Sequence, residues 1–481
     1  MSDTVTRGSV YLGAQQIVAL LSMVAVHTCA ARYLGPVAYG HFAVVLALLS
    51  ILTLSLLVGI PNAVSKFTAE DRGSAGTILR KGLLVQSGIA LGLCGLLYLA
   101  ASSLAEFLGN PNLAPLIQFA SLSLPCTGLA YVYIHSLNGI RAFAKQAVVL
   151  AASNVFKAIG ILAFLFFGFG LEGAVLGIVC AAVVTLLVSA TFCRGVEGRQ
   201  RCETRKLTIF GAQLAITYLT VEIWNQSDLL MLQILGTQSE DVGLLGVVNT
   251  LRSILDTIFL PLFTMLFPIA SQCLAVGDAS VVAHYMQKGV TYVFLLVSPL
   301  VVITFFIGQD ILGMVYGSEY LTGAFAVAPL LMSTLFYILY ELLDTFICGS
   351  GNAFLSLRIA ASLLLTHIGL NWFLIPRYGI QGVVITNIVM SLLATLAMWI
   401  AVKRLLTLRI DWLSIGKIII CSLGLSTPFL LWQAETGLGS VLMAVVCLGG
   451  YLCLLVTWNV IDTEAISRMK TMGKYVAYRE V

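Results

Sequence analysis

A lysine, an arginine and several carboxylates interrupt stretches of sequence that are otherwise apolar. Lys157 lies in the middle of such a stretch, with Asn154 one helical turn before it. An ammonium there could hold an anionic group, because charge-assisted hydrogen bonds strengthen where water is scarce. The competing reading is a stem that snorkels along apolar surface, or a head paired with a carboxylate of the opposite half of the chain. Arg252 and Asp256 are four apart and share one helical face. They read either as a self-neutralising pair or as an anion contact beside a site for a proton or sodium ion.

Tyr218, Glu222 and Asn225 fall on one helical stripe, with Gln226 and Asp228 close by, which suggests the wall of a polar cavity. Glu222 suits proton coupling, though a cationic partner could equally keep it ionised. Glu341 and Asp344 read as an inner gate or as groups solvated at the interface. His27 and His367 complete the set, the first as a working group or a packing residue, the second as a polar cavity residue. A catalytic constellation is not expected. The five histidines (His27, His41, His135, His284 and His367) are dispersed, and no CxxC pair occurs among the 11 cysteines, so neither a metal nor another cofactor is expected beyond a coupling H+ or Na+.

The elements that carry these residues follow from composition. The 481 residues are 59% apolar and 10% charged, against about 25% charged in soluble domains. Disorder, a secreted disulfide scaffold and an ordinary soluble enzyme are excluded together. The expected fold is an all-α polytopic membrane protein with about fourteen spans of ~20 residues each. Helices are required because unpaired backbone groups cannot face lipid, and the ten-residue alternation of a barrel is missing. Spans are expected near 11–32, 39–61, 82–107, 113–138, 145–168, 171–193, 208–234, 243–271, 289–309, 323–347, 354–375, 380–402, 414–433 and 438–459. Met1 to Gly8 is polar and no small-residue cleavage site follows the first apolar run, so that run should act as its own insertion signal.

With these spans, all but four of the 26 Lys and Arg residues fall on the side of the termini. The exceptions are Arg32 and Arg377 on the opposite side, and Lys157 and Arg252 inside spans. The positive-inside rule then places both termini in the cytoplasm of a multi-pass inner-membrane protein. The basic connections near 66–81 and 272–288 are candidates for short amphipathic helices that meet anionic lipid headgroups.

The sequence also repeats itself at an offset of about 200 residues. Leu34-Gly35 with Tyr39-Gly40 recurs as Leu235-Gly236 with Val242-Gly243. The turn Phe169-Gly170-Leu171-Glu172-Gly173 recurs as Tyr378-Gly379-Ile380-Gln381-Gly382. The repeat aligns His27 with Asp228 and Lys157 with Thr366 or His367. Six spans per copy keep both copies in one orientation, the arrangement of parallel repeats around an axis along the membrane normal. The expected organisation is an N-lobe at 1–193, a basic linker at 194–207, a C-lobe at 208–402, and spans thirteen and fourteen with a cytoplasmic tail at 403–481. Two like-oriented lobes favour alternating access, with substrate at their interface.

The stretch Tyr33-Leu34-Gly35-Pro36 with Tyr39-Gly40, then Ile60-Pro61 and Phe67-Thr68-Ala69-Glu70, resembles the entry signature of Wzx-type polysaccharide-unit flippases. These belong to the multidrug/oligosaccharidyl-lipid/polysaccharide (MOP) exporter superfamily. Ser227-Asp228-Leu229-Leu230, leading to Leu235-Gly236 and Val242-Gly243, resembles the opening of their second lobe. Leu374-Ile375-Pro376-Arg377-Tyr378-Gly379 is similar to another recurrent turn. The resemblance covers at least residues 8–402.

The resemblance implies a flippase that turns a polyprenyl-pyrophosphate-linked oligosaccharide to the outer face, coupled to an ion gradient and serving surface polysaccharide synthesis. Lys157 and Arg252 would then meet the pyrophosphate. Partners would be the lipid-linked oligosaccharide, membrane lipids and the polysaccharide polymerase machinery, with no nucleic acid. A monomer is expected because both lobes lie in one chain. A multidrug/cation antiporter of the same superfamily and a peptidoglycan-precursor flippase remain alternatives. A membrane glycan polymerase or acyltransferase is a distant one, since it would need a larger outer loop than any present.

Overall fold

The computed structural model describes residues 2–198, 203–236, 238–275, 279–406, 410–431 and 437–458. These residues are helical almost throughout, with no strand among them. The helices are α1 (Ser2–Glu70), α2 (Ala75–Phe107), α3 (Leu113–Ser121), α4 (Ser123–Gly139), α5 (Phe143–Phe166), α6 (Gly170–Phe192), α7 (Thr204–Leu235) and α8 (Ser239–Ala275). They continue as α9 (Ala279–Val315), α10 (Ala324–Gly349), α11 (Ala353–Tyr378), α12 (Ile380–Lys403), α13 (Trp412–Gly424), α14 (Ser426–Leu431) and α15 (Gly437–Thr457).

Among the described residues, 13 helical stretches are long and apolar enough to cross a membrane. The first of them, Tyr11–Glu70, holds 60 residues. At 1.5 Å per residue that is about 90 Å, three times the hydrocarbon thickness. It turns at Gly35, whose φ of 72° and ψ of 171° break the helical path, a conformation that glycine adopts without penalty. Pro36 follows and restarts the helix with its fixed φ. The stretch therefore makes two crossings, and the expected fourteen are recovered.

The connections near 66–81 and 272–288 form no separate amphipathic helices. α1 runs on to Glu70, a 3₁₀ turn covers Arg72–Ser74, and α2 starts at Ala75. Likewise α8 extends to Ala275 and α9 begins at Ala279. The basic residues ride on ends of spanning helices, where the backbone bonds of the helix simply continue past the apolar stretch.

The chain divides into two compact units. The first comprises Asp3–Thr250 and Leu364–Val383; the second comprises Leu251–Leu363 and Val384 onward. In the first unit, Ile60, Ala63 and Val64 of α1 pack with Ile78 and Leu79 of α2, with Val132, Ile134 and Leu137 of α4, and with Leu207 of α7. Small residues let helices meet closely, as membrane packing without a hydrophobic drive requires. A Cβ on Gly177 of α6 would lie 2.6 Å from the carbonyl carbon of Gly160 in α5.

The repeated turn is visible in the backbone. Gly170 and Gly379 have φ of 56° and 54°, the left-handed region that glycine fills most readily. Three residues on, a Cβ at Gly173 would clash with Phe169, and one at Gly382 with Leu374.

In the second unit, α9 packs against α13, α14 and α15 through Leu295, Ile303, Ile307, Ile418, Phe429, Tyr451 and Leu455. Tyr451 donates to the carbonyl of Leu295 at 3.0 Å, and Ser298 and Ser422 share a bond of 2.8 Å. Asp411 caps α13, accepting from the Ser414 amide at 3.1 Å and the Ser414 hydroxyl at 2.6 Å. These bonds hold its carboxyl below the usual carboxylate range.

Candidate functional site

Lys157 lines a cavity of about 250 Å³ inside the first unit. The walls come from the second arm of α1 and from α4, α5 and α6. Hydroxyls dominate the polar part of this wall: Ser50, Thr53, Ser123, Thr127, Tyr131, Ser153 and Thr185, with the amide of Asn154. Ser50, Ser123 and Thr185 bond back to the carbonyls of Ala47, Ala120 and Ala181 on the preceding turn. Thr185 also shares a bond of 3.1 Å with Ser153, tying α6 to α5 across the cavity wall. Asn154 donates to the carbonyl of Leu150 at 2.9 Å, which leaves its side-chain oxygen available. Lys157 makes no ion pair among the described residues. The wall thus offers one cation and a ring of adaptable donors, a constellation that fits an anion carrying several oxygens.

His27, read either as a working group or as a packing residue, bonds to the hydroxyl of Tyr39 at 2.8 Å across the α1 kink. Tyr39, fully buried, reaches Thr250 at 3.5 Å.

Asp228 finds two partners on α11. His367 Nε2 lies 2.7 Å and Asn371 Nδ2 2.8 Å from the same Asp228 oxygen. All three residues are buried, and the Trp224 ring lies 5.6 Å from that of His367. The outward atoms His367 Nδ1 and Asn371 Oδ1 are buried with no hydrogen-bond partner among the described residues. Spacing could not have revealed this pair, since 139 residues separate Asp228 from His367. The rest of the α7 stripe is less enclosed. Tyr218 is exposed at the unit's surface, Asn225 is exposed too, and Glu222 accepts from Gln226 at 2.8 Å.

The second unit holds the remaining candidates. Arg252 Nε donates to Thr334 of α10 at 3.0 Å. Asp256, one turn further along α8, has a buried oxygen without a hydrogen-bond partner among the described residues. Glu341 shares a side-chain hydrogen bond with Tyr337 of its own helix. Asp344 accepts from Ser356 of α11 and, at 3.8 Å, from the Cys348 thiol. Among the described residues, no group of three or more His, Cys, Asp or Glu could hold a metal ion.

Fourteen crossings, with the buried polar cluster of Asp228, His367 and Asn371 among them, make this a multi-pass membrane protein. A family model described as "Polysaccharide biosynthesis protein" matches residues 5–274, and the chain belongs to that family. A second model, MatE, matches residues 214–373. Among solved structures, the lipid II flippase MurJ in an inward closed conformation superposes with a TM-score of 0.74 at 15% identity, covering 94% of this chain and 99% of that one. The eukaryotic MATE transporter AtDTX14 gives 0.61 at 14% identity, covering 87% and 99%. A MOP transporter from Pyrococcus furiosus, described as having a binding pocket of reverse polarity, gives 0.55 at 15% identity, covering 83% and 96%. At such identities the likeness is one of fold. No curated protein matches the sequence significantly.

Proposed function

We propose that the protein is a flippase that carries a polyprenyl-pyrophosphate-linked oligosaccharide from the cytoplasmic to the outer face of the inner membrane. Both termini lie in the cytoplasm, and the protein works as a monomer by alternating access. The observation that carries this reading is Lys157, a lone cation in a hydroxyl-lined cavity at membrane depth. An ammonium in the bilayer costs about 2.5–3.5 kcal/mol on insertion scales, so its presence favours a role with an anion. A diphosphate offers oxygens to Lys157 and to the surrounding hydroxyls together. The family description, polysaccharide biosynthesis, supports a glycan as the rest of the cargo.

Coupling to an ion gradient is assigned to Asp228 with His367, a carboxylate and an imidazole able to exchange a proton, and Asn371 fixes the carboxylate's orientation. Arg252, Asp256, Glu341 and Asp344 act in gating within the second unit, with Arg252 available to the passing phosphate. The chain performs no bond-breaking chemistry on its cargo.

Two other transport readings have specific support. The MatE match over 214–373 favours a multidrug/cation antiporter. The likeness to the lipid II flippase MurJ favours a peptidoglycan-precursor flippase. Deleting the gene and extracting the lipids separates the three. The proposal expects one polyprenyl-pyrophosphate oligosaccharide to accumulate on the cytoplasmic face. Accumulated lipid II would establish the peptidoglycan reading, and unchanged lipids with altered drug tolerance the antiporter.

A further inference from the structure

A second cavity of the first unit, about 370 Å³, opens where α1 resumes after its kink, α2 meets α3 and α5 meets α6. It is lined by His41 of α1, Asn112 and Pro115 of the α2–α3 turn and α3, and Phe169, Leu171 and Glu172 around the start of α6. Its volume falls within the range of small-molecule sites. We propose that this cavity is a sugar-binding subsite that receives a neutral or amino sugar ring of the cargo; the inference rests on the flippase reading above.

The lining has the chemistry of a sugar ring turned inside out. Such a ring has an apolar C–H face and a rim of hydroxyls. Phe169 supplies an aromatic wall, 59% exposed, and Pro115 and Leu171 extend it. Asn112 brings an amide with both donors and an acceptor, and Glu172 a carboxylate that accepts only. Neither side chain has a hydrogen-bond partner among the described residues. His41 is held in place by Asn110, whose Nδ2 donates to His41 Nε2 at 2.8 Å; the ring's proton is then on Nδ1. Asn110 in turn accepts from the Asn112 amide at 3.1 Å, shaping the turn that carries Asn112. Both rims turn on left-handed glycines, Gly109 with φ 70° and Gly168 with φ 84°.

Charge and position decide which part of the cargo fits. Glu172 is the one fully charged residue in this lining, and it would repel a phosphate. The Lys157 cavity lies deeper on the same helices. From His41 to Ser50 on α1, and from Glu172 to Ala181 on α6, the helical rise is about 14 Å. A diphosphate seated at Lys157 thus leaves an adjacent sugar within reach of the outer cavity.

Saturation-transfer NMR on the full chain in lipid nanodiscs tests this, with methyl glucoside, methyl N-acetylglucosaminide and methyl glucosaminide as probes. The expected result is transfer to at least one probe, weakened at least about fivefold in both Phe169→Ala and Asn112→Ala. Phe305→Ala, on the exposed surface of α9, should leave it unchanged. Glu172→Gln should selectively weaken the glucosaminide, whose ammonium the carboxylate attracts. If Phe169→Ala fails to fold, Asn112→Ala and Glu172→Gln carry the test. Absence of transfer to every probe, or transfer that the cavity variants retain, overturns the subsite. Binding that persists when the deletion strain accumulates no lipid-linked oligosaccharide would uphold the subsite and refute the flippase reading. Accumulation without hexoside binding would do the reverse.

Discussion

Asp228 and His367 meet at 2.7 Å inside the first unit although 139 residues separate them in the chain. The contact joins α7 to α11, and Asn371 reinforces it from the next turn of α11. Removing one member of this buried pair leaves the other short of a hydrogen-bond partner, at a cost of about 1–3 kcal/mol. Asp228→Ala and His367→Ala should each lower the thermal midpoint of the purified protein. A double replacement by leucine should cost less than the sum of the two single losses, because neither member of the pair is then left facing an absent partner. Additive losses in the double variant would show that the two residues act independently.

The α5–α6 contact predicts a steric effect. A valine at Gly177 would drive its side chain into the Gly160 backbone, where even a Cβ would lie at 2.6 Å. Overpacking of this kind costs about 1–3 kcal/mol and forces the helices apart. Gly177→Val should therefore reduce stability and disturb the Lys157 cavity, which both helices line. A melting curve unchanged from wild type would contradict the close approach.

Asp411 predicts a local pH dependence. Its folded carboxyl is held below the ordinary range by the two Ser414 bonds. The contribution is fully present above the unfolded pKa, about 3.9, and is lost as pH falls through the lower folded value. Asp411→Ala should cost α13 toward the lower end of about 0.5–2 kcal/mol, since solvent reaches the cap. Hydrogen exchange at the first amides of α13 reads this directly: faster exchange in the variant at neutral pH is expected, and equal rates would remove the cap.

Arg252 and Thr334 predict a further coupling. Thr334→Val deletes the acceptor of the Arg252 Nε bond at 3.0 Å. Loss of a hydrogen bond to a charged group costs about 1.5–3 kcal/mol. Thr334→Val should destabilise the wild type by that amount and an Arg252→Met background by much less. Equal losses in both backgrounds would dissociate the two residues.

The number of crossings was legible in the sequence because each needs a long apolar stretch with few charges, but their limits were not, since helices such as α1 and α9 continue past the apolar stretch. The break in α1 falls at Gly35-Pro36, inside the gap left between the spans expected at 11–32 and 39–61. Partners across long separations were not legible. His367 is one polar residue in an apolar run, and nothing in its spacing links it to Asp228. The hydroxyls around Lys157 were equally hidden, because serine and threonine inside a spanning helix satisfy themselves on the previous turn and carry no distinctive period. Arg252 was read with Asp256 on one helical face, whereas its bond to Thr334 crosses to α10. The basic stretches near 66–81 and 272–288 looked amphipathic, but charge patterning does not separate a helix lying on a membrane from the end of one crossing it.

The most direct test of the account is a flipping assay in proteoliposomes, with a fluorescent polyprenyl-pyrophosphate disaccharide initially in one leaflet and an impermeant quencher outside. Translocation well above that of protein-free vesicles is expected, reduced at least about tenfold by Lys157→Ala, which corresponds to ~1.4 kcal/mol of lost interaction. Lys157→Arg should retain a substantial part of the rate. Translocation equal to that of empty vesicles, or a rate untouched by Lys157→Ala in protein that folds normally, would contradict it.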